Sequence, residues 1–148
     1  MKEKFLKEAY KEALKAYEKG EVPIGAVVVK DGKVIGRGHN QRIEKKNALY
    51  HAEIVAIEDA CRNIGNWRLD DCEMYITLEP CIMCAGAIMQ SRIKKVVFGA
   101  KDEKGGAVVS KYTLFSDNKL PFKVEFEYLE DKKCSEILKK FFKERRSK

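Results

Sequence analysis

Apolar and polar residues follow two rhythms along this chain, and the switches between them mark its elements. Residues 2 to 19 place Leu6, Tyr10, Ala13, Leu14 and Tyr17 on a helical period with Lys and Glu between them, and Gly20 follows as a stop. An amphipathic first helix is predicted. The rhythm then becomes that of strands. Ile24 to Val29 is an apolar, β-branched run, Lys30-Asp31-Gly32-Lys33 carries the Asp-Gly pair of a tight hairpin, and Val34 to Gly38 supplies the second strand. From His51 the helical period returns, with apolar residues 54, 55, 57 and 61 and an end at 63 to 65, so a second, largely buried helix is expected.

Glu73 to Leu78 reads as a strand, Pro80 suits the first position of a helix running to about Gln90, and Lys95 to Gly99 is again strand-like. Strand, helix and strand in that order predict a βαβ unit. Residues 101 to 122 are expected to be the most mobile loop, followed by a last strand from Lys123 to Leu129. A final helix would set Cys134, Ile137, Leu138, Phe141 and Phe142 on one side and basic residues on the other. The fold class is therefore α/β: a three-layer α/β/α sandwich with a mixed sheet of about five strands. The 148 residues are expected to form one domain, 1–148.

Composition narrows the function classes. With 45% hydrophobic and 36% charged residues, the chain is globular with a heavily charged surface. Its longest apolar stretch, Cys81 to Met89, is far below the roughly 20 residues a spanning helix needs. The N-terminus interleaves charge with apolar residues, unlike a secretory signal, so the protein is expected in the cytoplasm with no membrane partner. The net charge is +7, and residues 130–148 carry eight Lys or Arg against four Asp or Glu. Such a basic end can attract phosphates.

Candidate chemistry rests on three features: His51-Ala52-Glu53 at one helix start, Pro80-Cys81-Ile82-Met83-Cys84 at another, and the strand-to-helix order before the second. Two cysteines three apart share a helical face, and a helix N-terminus favours thiolates, the form that binds zinc. His51 adds an imidazole, leaving a fourth position for water as in catalytic zinc sites. His51 and Glu53 lie about 200° apart on a regular helix, so both reach one metal only from a first turn. Glu53 would then stay off the metal and act as a general base. This H-x-E and P-C-x-x-C pairing is the signature of zinc-dependent base deaminases. A redox Cys-x-x-Cys, or a structural zinc site completed by His39, stays open on the residues alone. Asn40 offers an amide to a base edge or ribose hydroxyl. Cys61, Cys72 and Cys134 read as small core residues, and Trp67 as a core anchor.

Taken together, these residues resemble the bacterial tRNA-specific adenosine deaminases of the cytidine deaminase-like superfamily. The resemblance runs through Glu21 to Ala26, Gly38 to Asn40, His51 to Glu53, Trp67 to Leu69, Thr77 to Ala87, Ser91 to Ile93, Val96 to Ala100 and the Phe141-Phe142 ending with its basic residues. It implies conversion of adenosine to inosine at the wobble position of a tRNA anticodon, with one Zn2+ per subunit on His51, Cys81 and Cys84 and with Glu53 as proton shuttle. It further implies that Asn40 and Ala52 contact the flipped base, that Val22 and Pro23 wall the pocket, and that Asp102, Lys104 and Ser110 flank it. Arg145 and Arg146 would approach the anticodon stem of the bound stem-loop, and the enzyme would be a homodimer. The chain departs from the family pattern at Tyr50, which sets a phenol beside the metal ligand, and at Val109 and Pro121-Phe122. Those departures admit an alternative, deamination of a free nucleobase or nucleoside of guanine, adenosine or cytidine type. A zinc protein or RNA-binding module without catalysis is the alternative from another class.

Overall fold

The computed structural model describes residues 1–146. In chain order it contains α1 (Lys2–Glu18), β1 (Gly25–Lys30), β2 (Lys33–His39), α2 (Ala52–Ile64), β3 (Glu73–Ile76), α3 (Ile82–Ser91), β4 (Lys95–Phe98), a single 3-10 turn (Leu114–Ser116), β5 (Glu125–Tyr128) and α4 (Lys132–Arg146). The strands form one mixed sheet in the order β2-β1-β3-β4-β5. β1 is antiparallel to both β2 and β3, whereas β3, β4 and β5 run parallel. The hairpin is the one that Asp31-Gly32 dictates: both residues take positive φ, 51° and 76°, and Lys30 pairs with Lys33 across a two-residue turn.

The β1 run is apolar throughout because both of its faces are covered. Ala26 and Val28 join Ala52, Ala56, Met74, Ile76, Ile88 and Phe98 on the side of α2 and α3. Val27 and Val29 point the other way, onto Phe5, Leu6 and Ala9 of α1. α4 packs on the α1 side, where Phe141 meets Tyr17 with ring centroids 6.4 Å apart. These are the three layers expected. Helix α2 sits closer to the sheet than its apolar period suggests. A Cβ on Gly38 would lie 2.4 Å from both Ala52 O and Ala56 N, so the helix presses its alanines onto bare strand backbone. Ala52, Ala56 and Ala60 are consequently buried, while Ile54, Val55 and Ile57 are only half-buried.

Several expectations are corrected. Pro80 is not the first helical residue: Cys81 is the extended cap (φ −77°, ψ 178°), and α3 begins at Ile82. β3 ends at Ile76 because Thr77 turns to bond Gly25 through both its N–H (3.0 Å) and its hydroxyl (3.1 Å). Residues 101 to 122 are packed: Ala107 and Val108 are fully buried, and Leu114, Phe115, Leu120 and Phe122 lie against the core. Trp67 is 59% exposed, with the Arg68 and Arg92 guanidinium carbons 5.4 and 5.5 Å from its ring centroid. Phe142 points outward, since only Phe141 falls on the inner stripe of α4. Cys72 and Cys134 are buried as expected, whereas Cys61 is half-buried.

Candidate active site

Two helix N-termini meet at the site. His51 is the extended cap of α2 (φ −73°, ψ 158°), and Cys81 holds the same position on α3, with Cys84 in the first turn. His51 Nδ1 lies 3.7 Å from Cys81 Sγ and 3.6 Å from Cys84 Sγ. All three donor atoms fall within 4.8 Å of one another. Tetrahedral zinc with bonds of about 2.3 Å to sulfur and about 2.05 Å to nitrogen needs an N-to-S edge of about 3.6 Å, so the residues fit that ion. The donor set closes three corners, and among the described residues no fourth donor joins it. His39 is elsewhere: its Nδ1 bonds Glu12 Oε1 at 3.1 Å.

Glu53 occupies the first turn of α2 and is buried beside the cluster. The cap conformation resolves its mismatch with His51, because the imidazole leaves the chain before the helical spiral begins. Asn40, at the end of β2, accepts the Ala52 N–H on its Oδ1 at 2.9 Å, satisfying a donor that the helix start would otherwise orphan. Only its amide NH2 is left to face a ligand. Ala52 itself is fully buried, its N–H already given to Asn40.

Electrostatics at the cluster follow from crowding. Cys84's thiol, hydrogen-bonded to Cys81, holds the Cys81 sulfur down to about 3, aided against burial by the His51 imidazole. The same hydrogen bond, with burial, drives Cys84 strongly upward. One proton is thus shared between two sulfurs, and a bound dication would displace it, since metal ligation requires both as thiolates. Burial pushes Glu53 up to about 7, with the Cys81 sulfur adding to the rise. A dication beside it would draw that value down again.

Two grooves share Phe142 as a border; His51, Glu53, Cys81 and Cys84 line neither, but Asn40, the partner of Ala52, lines one, and Leu78, close to Cys81 in the chain, lines the other. One, about 580 Å³, is bounded by Glu21, Val22, Asn40, Arg42 and Asn47; the other, about 890 Å³, by Val22, Leu78, Asp102, Lys104 and Arg146. Arg145 and Phe142 border both. Val22 therefore walls the approach, while Pro23 is buried behind it. Lys104 and Arg146 are exposed, and Asp102 Oδ1 caps its own turn through Lys104 and Gly105 N–H. Arg145 donates to Gly20 O and stacks on Phe141, 4.8 Å from the ring centroid.

Ser110 and Tyr50 lie outside the linings of both grooves. Ser110 donates its hydroxyl to Glu79 and does not face either groove. Tyr50 lines a different cleft, with Glu12, His39, Gln41 and Val55, and borders neither of the two grooves. Sequence reading missed the two buried carboxylates that hold the groove walls. Glu21 accepts the N–H groups of Ile43 (3.2 Å) and Glu44 (2.7 Å), and Glu79 accepts those of residues 102 and 108 to 110. Burial alone would raise Glu79, yet the Ser110 hydroxyl and the Val109, Ser110 and Asp102 amides hold its carboxyl below the ordinary range. Their only sequence signal is acidic residues inside otherwise apolar runs.

A five-stranded α/β/α sheet with a His/Cys/Cys donor set and a buried carboxylate at its edge defines a hydrolytic deaminase of the cytidine deaminase-like fold. The chain belongs to the MafB19-like deaminase family, whose model it matches over residues 1–146, and to the bacterial tRNA-specific adenosine deaminases. It is 48% identical to the tRNA-specific adenosine deaminase of Aquifex aeolicus (strain VF5), over 99% of this chain and 97% of that protein. Against the tRNA-specific adenosine deaminase of Bacillus subtilis (strain 168) the identity is 46%, over 99% and 91%. Among solved structures, one from a study of A-to-I editing by tRNA:A34 deaminases at the wobble position superposes with a TM-score of 0.87, at 44% identity, over 90% of this chain and 98% of that one. Guanine deaminase from Bacillus subtilis superposes at 0.65, with 33% identity, over 97% and 93%.

Proposed function

We propose that this protein converts adenosine to inosine, with release of ammonia, at the wobble position of a tRNA anticodon. The observation that carries the chemistry is the buried Glu53 beside three converging metal donors, and the relatives' names carry the substrate. His51 Nδ1, Cys81 Sγ and Cys84 Sγ would hold one Zn2+ per subunit, which lowers the pKa of water and so supplies the nucleophile at neutral pH. Glu53 takes the proton released as a water oxygen bonds to C6 and passes it to ring N1. It then delivers the second proton to the amine as the C6–N bond breaks, so adenosine and water leave as inosine and ammonia. Asn40, with its Oδ1 fixed by Ala52, donates its NH2 to an acceptor on the base or ribose. Val22 walls the base with Pro23 packed behind it, while Asp102 and Lys104 border the RNA strand.

Phe142 between two grooves suits splayed loop nucleotides, one on either side, with Arg145 and Arg146 reaching phosphates. Ser110 supports this surface through Glu79 and does not contact RNA itself. The assembly we infer is a homodimer, supported by the outer face of α3, where Ile82, Met83, Gly86 and Ala87 are exposed or half-exposed. The whole chain acts as one domain in the cytoplasm; among the described residues no helix is long and apolar enough to cross a membrane. The test is ammonia release by zinc-loaded protein from a wobble-adenosine stem-loop, set against free adenosine, cytidine and guanine. Turnover of the stem-loop is expected. Turnover of guanine alone would replace this reading with the activity of the B. subtilis structural neighbour.

A further inference from the structure

Glu79 is 2% exposed, and its carboxylate gathers main-chain donors from one loop: Asp102 at 3.1 Å, Val108 at 3.0 Å, Val109 at 2.8 Å and Ser110 at 3.0 Å, together with the Ser110 hydroxyl. The backbone adds two more ties, Glu79 N–H to Ala100 O at 2.8 Å and Ala107 N–H to Pro80 O at 2.9 Å. The loop closes tightly over the carboxylate. A Cβ on Gly106 would lie 2.3 Å from Glu79 Cδ, so a side chain there would have to push the carboxylate from its place.

This carboxylate stands between two functional parts. Two residues after it comes Cys81, a metal donor. The loop it grips supplies Asp102, Glu103, Lys104 and Gly105 to the wall of the larger groove. Hydrogen bonds to an ionised acceptor are about twice as strong as neutral ones, and several converge here out of water. The wall and the ligand-bearing turn are thereby joined through a single buried group.

We propose that Glu79 is a positioning residue, which fixes the 102–110 wall of the substrate groove in register with Cys81 and touches neither substrate nor reacting atoms. A wall formed beforehand saves the ordering cost at binding, so its loss falls on affinity rather than on the chemical step. The identity of the substrate rests on the deaminase reading above; the order of the loop does not.

The experiment compares the full-length zinc-loaded protein with Glu79→Gln, Glu79→Asp and Gly106→Ala. It reads zinc content, amide exchange at 108 to 110, and KM and kcat on the wobble-adenosine stem-loop. In Glu79→Gln zinc stays at one per chain, exchange protection at 108 to 110 falls while that of α2 holds, and KM rises about 10-fold or more with kcat within about threefold. Glu79→Asp recovers part of the KM, as a retained charge should. Gly106→Ala reproduces the KM defect with the carboxylate present, and serves if Glu79→Gln does not fold. Unchanged protection, or lost protection with unchanged KM, overturns the proposal, as does a fall in kcat at constant KM. Should wild-type protein leave the stem-loop untouched, the deaminase reading has failed on RNA, and the same KM comparison is made on the nucleobase or nucleoside it does deaminate.

Discussion

Asn40 and Ala52 are joined by a 2.9 Å hydrogen bond that ties the end of β2 to the first turn of the helix bearing His51 and Glu53. One amide thus has two duties, capping with its oxygen and recognising with its nitrogen. Asn40→Asp keeps an acceptor for Ala52 but replaces the NH2 donor with a second acceptor. We expect its melting temperature to stay within a few degrees of wild type while kcat/KM falls about 10²-fold, the size of a lost transition-state donor. Asn40→Ala should also lose about 1 kcal/mol of stability, because the Ala52 N–H is left buried without its acceptor. Equal activity in Asn40→Asp and wild type would remove Asn40 from recognition.

Glu53 lies beside the donor cluster without belonging to it. Glu53→Ala should therefore lower kcat by about 10³-fold or more while the protein still carries one zinc by metal analysis. Loss of zinc along with activity would make Glu53 part of the metal's support instead of its proton shuttle.

The two arginines at the end of α4 separate by environment. Arg146 is exposed and borders a groove, whereas Arg145 also anchors the helix through Gly20 O and Phe141. Arg146→Ala is expected to weaken stem-loop binding at all sequences and to reduce the log–log salt slope by about 1, with thermal stability unchanged. Arg145→Ala should do the same and lower the melting temperature by a few degrees besides. A salt slope unaffected by both substitutions would take the tail out of the RNA interface.

What could be read from the chain divides along physical lines. The hairpin was legible because Asp31-Gly32 carries its own backbone geometry, and the metal donors because His51, Cys81 and Cys84 are chemically rare at helix starts. The cleft that Tyr50 lines is not legible in the chain, because the extended backbone at His51 bears on where its neighbour points and residue type does not encode that. Trp67 reads as a core anchor in the sequence, yet two guanidinium groups flank its ring at the surface. Glu79 left almost no trace, since all but one of its carboxylate's partners, the Ser110 hydroxyl, are main-chain N–H groups 23 to 31 residues away, which any sequence would possess. Side-chain chemistry announces itself in sequence; side-chain-to-backbone clamps do not.

Glu12 of α1 supplies a test by pH that is separate from the active site. Its buried carboxylate bonds Lys15 at 2.8 Å and His39 at 3.1 Å, with Arg37 at 3.6 Å. Burial opposes ionisation, but His39 and Lys15 overcome it and hold the carboxyl down at about 2, against an ordinary 4.5. A lowered folded-state pKa stabilises fully above the unfolded value and is lost as pH falls from about 4.5 toward 2, to an amount on the order of 3 kcal/mol. Glu12→Gln should therefore be less stable than wild type to urea at pH 7, with the difference shrinking as acid protonates the wild-type carboxylate. Both proteins lose metal in acid, so the gap between the two curves, rather than either curve, reads Glu12. Parallel curves from pH 7 to pH 2 would mean that the partners of Glu12 contribute the same to the folded protein whether or not it is charged.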